Sequence, residues 1–149
     1  MSQEPPALVP ELAVTNCAAS RAFYTQIIGF TVLYDRPEEG FAYLTLGRAH
    51  LMIDELGEGR TFGGAHLPQS QPFGKGMNLQ IQTPNLQEIL SRLKSADIPL
   101  YLPPEERWYR SGTREIGQRQ FVVADPDGYL LRLCSPLGDR PIAAAPKPE

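Results

Sequence analysis

Few side chains of this chain are reactive enough to make or break bonds. It has two histidines, His50 and His66, and two cysteines, Cys17 and Cys134. No His-x-x-x-His pair exists, so the spacing that hands two imidazoles to one metal ion is missing. Neither histidine has a matched serine or cysteine in its sequence context, so no nucleophilic triad is legible. Two thiols outside any disulfide framework read as reduced and half-buried. Gly112 and Gly117 flank TREI without a preceding strand at phosphate-loop spacing, and read as loop glycines.

The remaining candidates suit recognition. Side chains alternate along a strand, so apolar positions on one face define the other. In the strand candidate Leu8–Val14, Leu8, Leu12 and Val14 face a helix, leaving Val9, Glu11 and Ala13. In Ala49–Asp54, Leu51 and Ile53 leave His50, Met52 and Asp54. In Met77–Thr83, Met77, Leu79 and Ile81 leave Asn78, Gln80 and Gln82. In Tyr129–Cys134, Leu131 and Leu133 leave Leu130, Arg132 and Cys134. This polar face either meets water, as half-exposed antiparallel sheets do, or lines a cavity if the sheet curls. In a cavity Arg132 needs a carboxylate partner, because an unpaired buried charge is costly, and Glu11 is the candidate. Phe41 and Tyr43 alternate with Ala42 and Leu44, so their rings share a side. Trp108 and Tyr109, in a charged loop, either pack over the sheet end or in a dimer seam, or offer a ligand a flat wall with hydrogen-bonding edges. The expected ligand set is Glu11, Phe41, Tyr43, His50, Met52, Asp54, Asn78, Gln80, Trp108, Tyr109 and Arg132.

The elements that must position these residues recur in one order. Asn16 caps a helix carrying Phe23, Ile27 and Ile28, and Gly29 stops it. Strands Phe30–Arg36, Phe41–Leu46 and Ala49–Asp54 follow, with turns at Glu39-Gly40 and Gly47-Arg48. After a Gly- and Pro-rich linker, Met77–Thr83 leads to a capping box, Asn85 with Glu88, and a helix stripe of Leu86, Ile89, Leu90 and Leu93. Strands are expected near Leu100, at Arg119–Ala124 and at Tyr129–Cys134, the last two joined by Asp125-Pro126-Asp127-Gly128. The pattern predicts one domain, 8–137, with modules 8–54 and 77–137 and a linker 55–76. Residues 1–7 form an arm and 138–149 a tail. Its length of 149 residues suffices for a real core. A net charge of −3, with no basic cluster, argues against nucleic acid as a partner. No signal peptide or membrane-length apolar stretch is visible, so no membrane partner is expected and the cytoplasm is the expected location.

VPELAV, SRAFYTQIIGF and FAYLTLG, with MNLQIQTPNLQEILSRLKSADI and RQFVVADPDGYLLRL, resemble the two halves of the vicinal-oxygen-chelate superfamily of glyoxalases, bleomycin-resistance proteins and extradiol dioxygenases. The likeness is nearest to the bleomycin-resistance type, partly through Glu105-Glu106-Arg107-Trp108-Tyr109-Arg110. It implies an α+β fold, two βαβββ modules forming a concave half-barrel sheet, and a homodimer with sites often lined by both chains. Many relatives are metal enzymes, and the resemblance places their usual ligand positions at Val9, Asn78 and Arg132. Valine cannot bind a metal, asparagine is a poor ligand, and arginine stays protonated. The chain is therefore expected to hold no metal or other cofactor. It is expected to bind and sequester an aromatic or cationic, antibiotic-like small molecule. The alternative is a metal-dependent lyase or dioxygenase with a shifted site of His50, Glu11 and Asp54.

Overall fold

In a computed structural model describing residues 4–58, 62 and 64–143, two modules repeat one element order. The first comprises β1 (Glu11–Val14), α1 (Cys17–Ala22, continued by a π-helical stretch Phe23–Ile28), β2 (Thr31–Arg36), β3 (Phe41–Leu46) and β4 (Ala49–Glu55). The second comprises β5 (Asn78–Gln82), α2 (Leu86–Ser95), β6 (Leu102–Ser111), β7 (Arg114–Ala124) and β8 (Leu130–Pro141). Each module forms an open four-stranded mixed sheet, ordered β1-β4-β3-β2 and β5-β8-β7-β6. The β1–β4 and β5–β8 pairs are parallel and the others antiparallel. The expected α+β fold of paired βαβββ modules is what the chain adopts. Among the described residues no helix is long and apolar enough to cross a membrane.

Local chemistry explains most of the boundaries. Asn16 accepts the Ala19 N–H at 3.0 Å and starts α1. Gly29, at φ 108°, ends the π-helical stretch in the left-handed conformation that glycine tolerates best. Pro10 does not enter a ladder; its carbonyl instead accepts the Met52 N–H, and β1 starts one residue later at a sheet edge. Leu8, expected on the buried face, is exposed outside the strand. The expected capping box at α2 does not form. The Asn85 side chain makes no cap bond, and the Asn85 N–H is directed at the Thr83 hydroxyl.

One apolar core joins the modules, with Leu12, Val14, Tyr24 and Ile53 from the first and Ile81, Leu93, Phe121 and Leu131 from the second. Arg92 of α2 donates from Nε to the Ile27 carbonyl at 2.6 Å, supplying a donor to the end of the first helix. The 125–128 turn ties the modules again: Tyr24 Oη donates to Asp125 at 2.7 Å, and Tyr129 Oη donates to the Ala13 carbonyl at 2.8 Å.

The second sheet extends further than its sequence suggests. Trp108 and Tyr109 lie on β6, not in a loop, and Gly117 lies inside β7 opposite Trp108. Strand β8 runs through the start of the expected tail to Pro141. The far ends of β6, β7 and β8 form a three-stranded arm that is mostly exposed on both faces. Residues 1–3 of the expected arm, 59–61 and 63 of the linker, and 144–149 of the tail lie outside the described residues.

Candidate functional site

Strand register assembles the outer face of the first sheet in two rows. One row runs Ala13, Asp54, Phe41, Arg36 across β1, β4, β3 and β2; the next runs Glu11, Met52, Tyr43, Tyr34. Their neighbours in sequence, Leu12, Ile53, Ala42 and Leu44, are buried in the core, so alternation sends these rows the other way. Tyr34 stacks on Tyr43 at 5.1 Å between centroids, and the Arg36 guanidinium lies 4.0 Å above the Phe41 ring. Two adjoining cavities of about 240 and 410 Å³ share Glu11, Asp54 and Phe62 in their walls. Tyr34, Arg36, Glu39, Phe41 and Met52 complete one; Ala13, His66, Leu67, Pro68 and Tyr129 complete the other.

The charge in this hollow is lopsided. Arg36 is turned to Glu39, Nε to Oε2 at 2.7 Å. Asp54 is only 5 % exposed, yet it has no hydrogen bond or ion pair at contact distance among the described residues. Burial pushes its carboxyl above the usual range; the charge of Arg36 pulls it partly back and that of Glu39 raises it. Glu11, at the rim, is also pushed up, by partial burial and then by Asp54, with Arg36 opposing. Two carboxylates thus share a cavity whose cation is already engaged.

A resident metal does not fit these donors. Among the described residues no three His, Cys, Asp or Glu side chains stand close enough to share an ion. The shifted site of His50, Glu11 and Asp54 does not assemble, because His50 sits at the far end of β4 with its Nδ1 2.6 Å from Tyr43 Oη. His66 lines the same cavity as Glu11 and Asp54 without completing a set. Val9 precedes β1, and Asn78 and Arg132 belong to the other sheet.

That other sheet presents its own face. Its rows run Gln80, Arg132, Val122, Leu102 and then Gln82, Cys134, Gln120, Glu105. A cavity of about 430 Å³ is lined there by Asn78, Glu105, Arg107, Tyr109, Gln120 and Arg132, among others. Gln120, buried, donates to Glu105 at 2.9 Å and is 2.7 Å from Tyr109 Oη. Gln80 receives a long contact from Gln118 at 3.4 Å and stays outside the cavity wall.

The eleven residues singled out from sequence therefore divide. Glu11, Phe41, Met52 and Asp54 meet on the first sheet, with Tyr43 and His50 beside them; Asn78, Tyr109 and Arg132 meet on the second. The expected Glu11–Arg132 pair is absent, since the two side chains line cavities on different sheets. Trp108 alternates with Tyr109 and points away from the cavity; it packs on Gly117 beneath Arg140, whose guanidinium is 3.9 Å from the ring centroid. Tyr34, Arg36 and Gln120 escaped the sequence reading. Tyr34 and Arg36 were visible as alternating partners of the Phe41 strand, whereas Phe62 and His66 carry no pattern in their Gly-rich context.

Comparison with known proteins agrees with this architecture. The model of the Glyoxalase/Bleomycin resistance protein/Dioxygenase superfamily matches residues 8–133. No protein of curated function matches the chain. Among solved structures, virulence protein STM3117 from Salmonella typhimurium is similar at TM-score 0.63 and 18 % identity, covering 91 % of this chain and 98 % of its own. TioX from Micromonospora sp. ML1 is similar at TM-score 0.62 and 24 % identity, covering 87 % and 98 %. An integron cassette protein from V. cholerae is similar at TM-score 0.65 and 16 % identity, covering 91 % and 98 %. At these identities the likeness is one of fold.

Proposed function

Since the chain belongs to the glyoxalase/bleomycin resistance protein/dioxygenase superfamily, we propose that it uses the first module's hollow to bind and sequester a small planar cation, such as an antibiotic-like aromatic amine, without transforming it. One observation carries this reading: Asp54 is almost buried, faces the cavity and has no contact partner among the described residues. Its carboxylate meets the cavity with no ion-pair partner among the described residues, so a ligand cation would supply the ionised form with an interaction the chain does not. Phe41, Tyr34 and Phe62 supply aromatic walls for a flat body; Arg36 already covers one face of Phe41, so the ligand's charge is left to the carboxylates. Glu11 adds a second negative charge at the rim, while Glu39 occupies Arg36. Among the described residues of one chain no three metal donors stand together, so the reading rests on Asp54 and its aromatic surroundings.

The test is calorimetric titration with ethidium as the probe cation, against its neutral parent phenanthridine at a pH where the latter is uncharged. Saturable ethidium binding, weaker by about tenfold or more in Asp54→Asn, is the expected result. Absence of binding at millimolar ethidium, or equal binding of the neutral compound, would overturn the proposal.

A further inference from the structure

The second module's cavity has the opposite chemical character, and the cation reading makes no use of it. Arg132 lies on β8, an interior strand of its sheet, with Gln80 and Val122 beside it in register. Its Nε is buried and has no hydrogen-bond partner among the described residues. Neither Arg132 nor Arg107, which lines the same cavity, makes an ion pair among the described residues. The one carboxylate in the wall, Glu105, receives the Gln120 amide. Guanidinium groups remain protonated, so the cavity carries an excess of one positive charge over Glu105.

Geometry narrows the ligand further. A guanidinium presents parallel N–H donors that match the two oxygens of a carboxylate, and a buried unpaired Nε–H is costly until such an acceptor arrives. Asn78 and Tyr109 add a side-chain amide and a hydroxyl to the same wall, and Tyr101, Leu102 and Leu130 make the rest of it apolar. We propose that this cavity is a separate binding site for a small organic carboxylate with an apolar body, anchored by Arg132. The two modules of one repeated fold then present opposite charges: the acidic pair Glu11 and Asp54 on one sheet, the unpartnered Arg132 on the other. This site does not depend on the cation proposal, since it lies on the other sheet and takes a ligand of opposite sign.

Benzoate is the probe, with benzamide as its neutral isostere and inorganic phosphate as a non-planar anion. Titrations of the full chain, followed by calorimetry and by amide NMR shifts, are expected to show saturable benzoate binding. Benzamide and phosphate should bind at least about tenfold more weakly, and the Asn78 and Gln120 side-chain amides should shift with benzoate. Arg132→Gln should lose benzoate binding by about tenfold or more, and Arg132→Lys, which keeps the charge but not the fork, should retain part of it. Benzamide binding as well as benzoate, or Arg132→Gln binding like the parent, overturns the anchor. Phosphate competing on equal terms overturns the carboxylate assignment. If Arg132→Gln does not fold, the benzoate, benzamide and phosphate titrations of the unmodified chain decide alone.

Discussion

Asp127 grips Thr15 at two points. The Thr15 N–H donates to Oδ2 at 3.1 Å and the Thr15 hydroxyl to Oδ1 at 2.7 Å. Gln71 from the linker donates to the same Oδ1 at 2.9 Å. A carboxylate only 1 % exposed therefore joins the end of β1, the linker and the turn before β8. Its negative charge is tolerated in that position because three donors converge on it.

Asp127→Ala is expected to cost about 2–4 kcal/mol, since it strands the Thr15 and Gln71 donors in a closed joint. Thr15→Val removes only the hydroxyl bond and should cost about 1 kcal/mol. Chemical denaturation measures both. Equal, small losses would show that the joint does not hold the modules together.

Tyr24 and Asp125 form a second joint. Asp125 also accepts the Asp127 and Tyr129 N–H groups at 2.9 Å each. Burial pushes its carboxyl up, and the Tyr24 and backbone bonds pull it partly back. Tyr24→Phe removes a donor that the ionised carboxylate needs more than the protonated acid does. The variant should lose about 1–2 kcal/mol at neutral pH and less where Asp125 is protonated. Melting curves across the acid range test this; a loss independent of pH would contradict it.

Asp54 links stability to binding. Its carboxyl is raised by burial, so the folded state holds that proton more tightly than the unfolded chain does. Its contribution then runs against the fold: stability falls as pH rises from the ordinary carboxylate range through the elevated folded value. Asp54→Asn should flatten that slope, leaving the parts contributed by Glu11 and Asp125, whose carboxyls are raised as well, and should raise the melting temperature at neutral pH more than at acid pH. Ethidium affinity of the unmodified protein should rise over the same pH interval as Asp54 and Glu11 ionise. A destabilised Asp54→Asn would mean that the carboxylate already has a stabilising partner.

Much of this was legible in the residues themselves. Leu12, Val14, Leu51, Ile53, Leu131 and Leu133 are buried where alternation puts them, and Asn16 and Gly29 bound the first helix. Alternation assigns a face but not a sheet, so the residues alone allow a Glu11–Arg132 pair that the two separate sheets do not make. The capping box at Asn85 failed because a side-chain pattern does not fix the cap's backbone, here at φ −105° and ψ 38°. The arm was hidden for a different reason. Most of its residues are exposed on both faces, so Glu106–Ser111 and Arg114–Ile116 show no apolar alternation from which a strand could be read.

The arm nonetheless has one tight contact, and it makes Trp108 a reporter. A Cβ placed on Gly117 would lie 2.6 Å from the Trp108 ring, closer than carbon atoms approach. Gly117→Ala must therefore lift the indole off the strand, with an expected cost of about 1–3 kcal/mol. Arg140→Ala removes the cover on the other side of the ring together with the Arg140 Nε–Glu115 ion pair at 2.9 Å, with a combined cost of about 0.5–1.5 kcal/mol. Trp108 is the only tryptophan, so its emission reads the arm directly: a clear red shift is expected in Gly117→Ala and a smaller one in Arg140→Ala. Emission in Gly117→Ala identical to that of the parent would show that Trp108 and Gly117 are not in register.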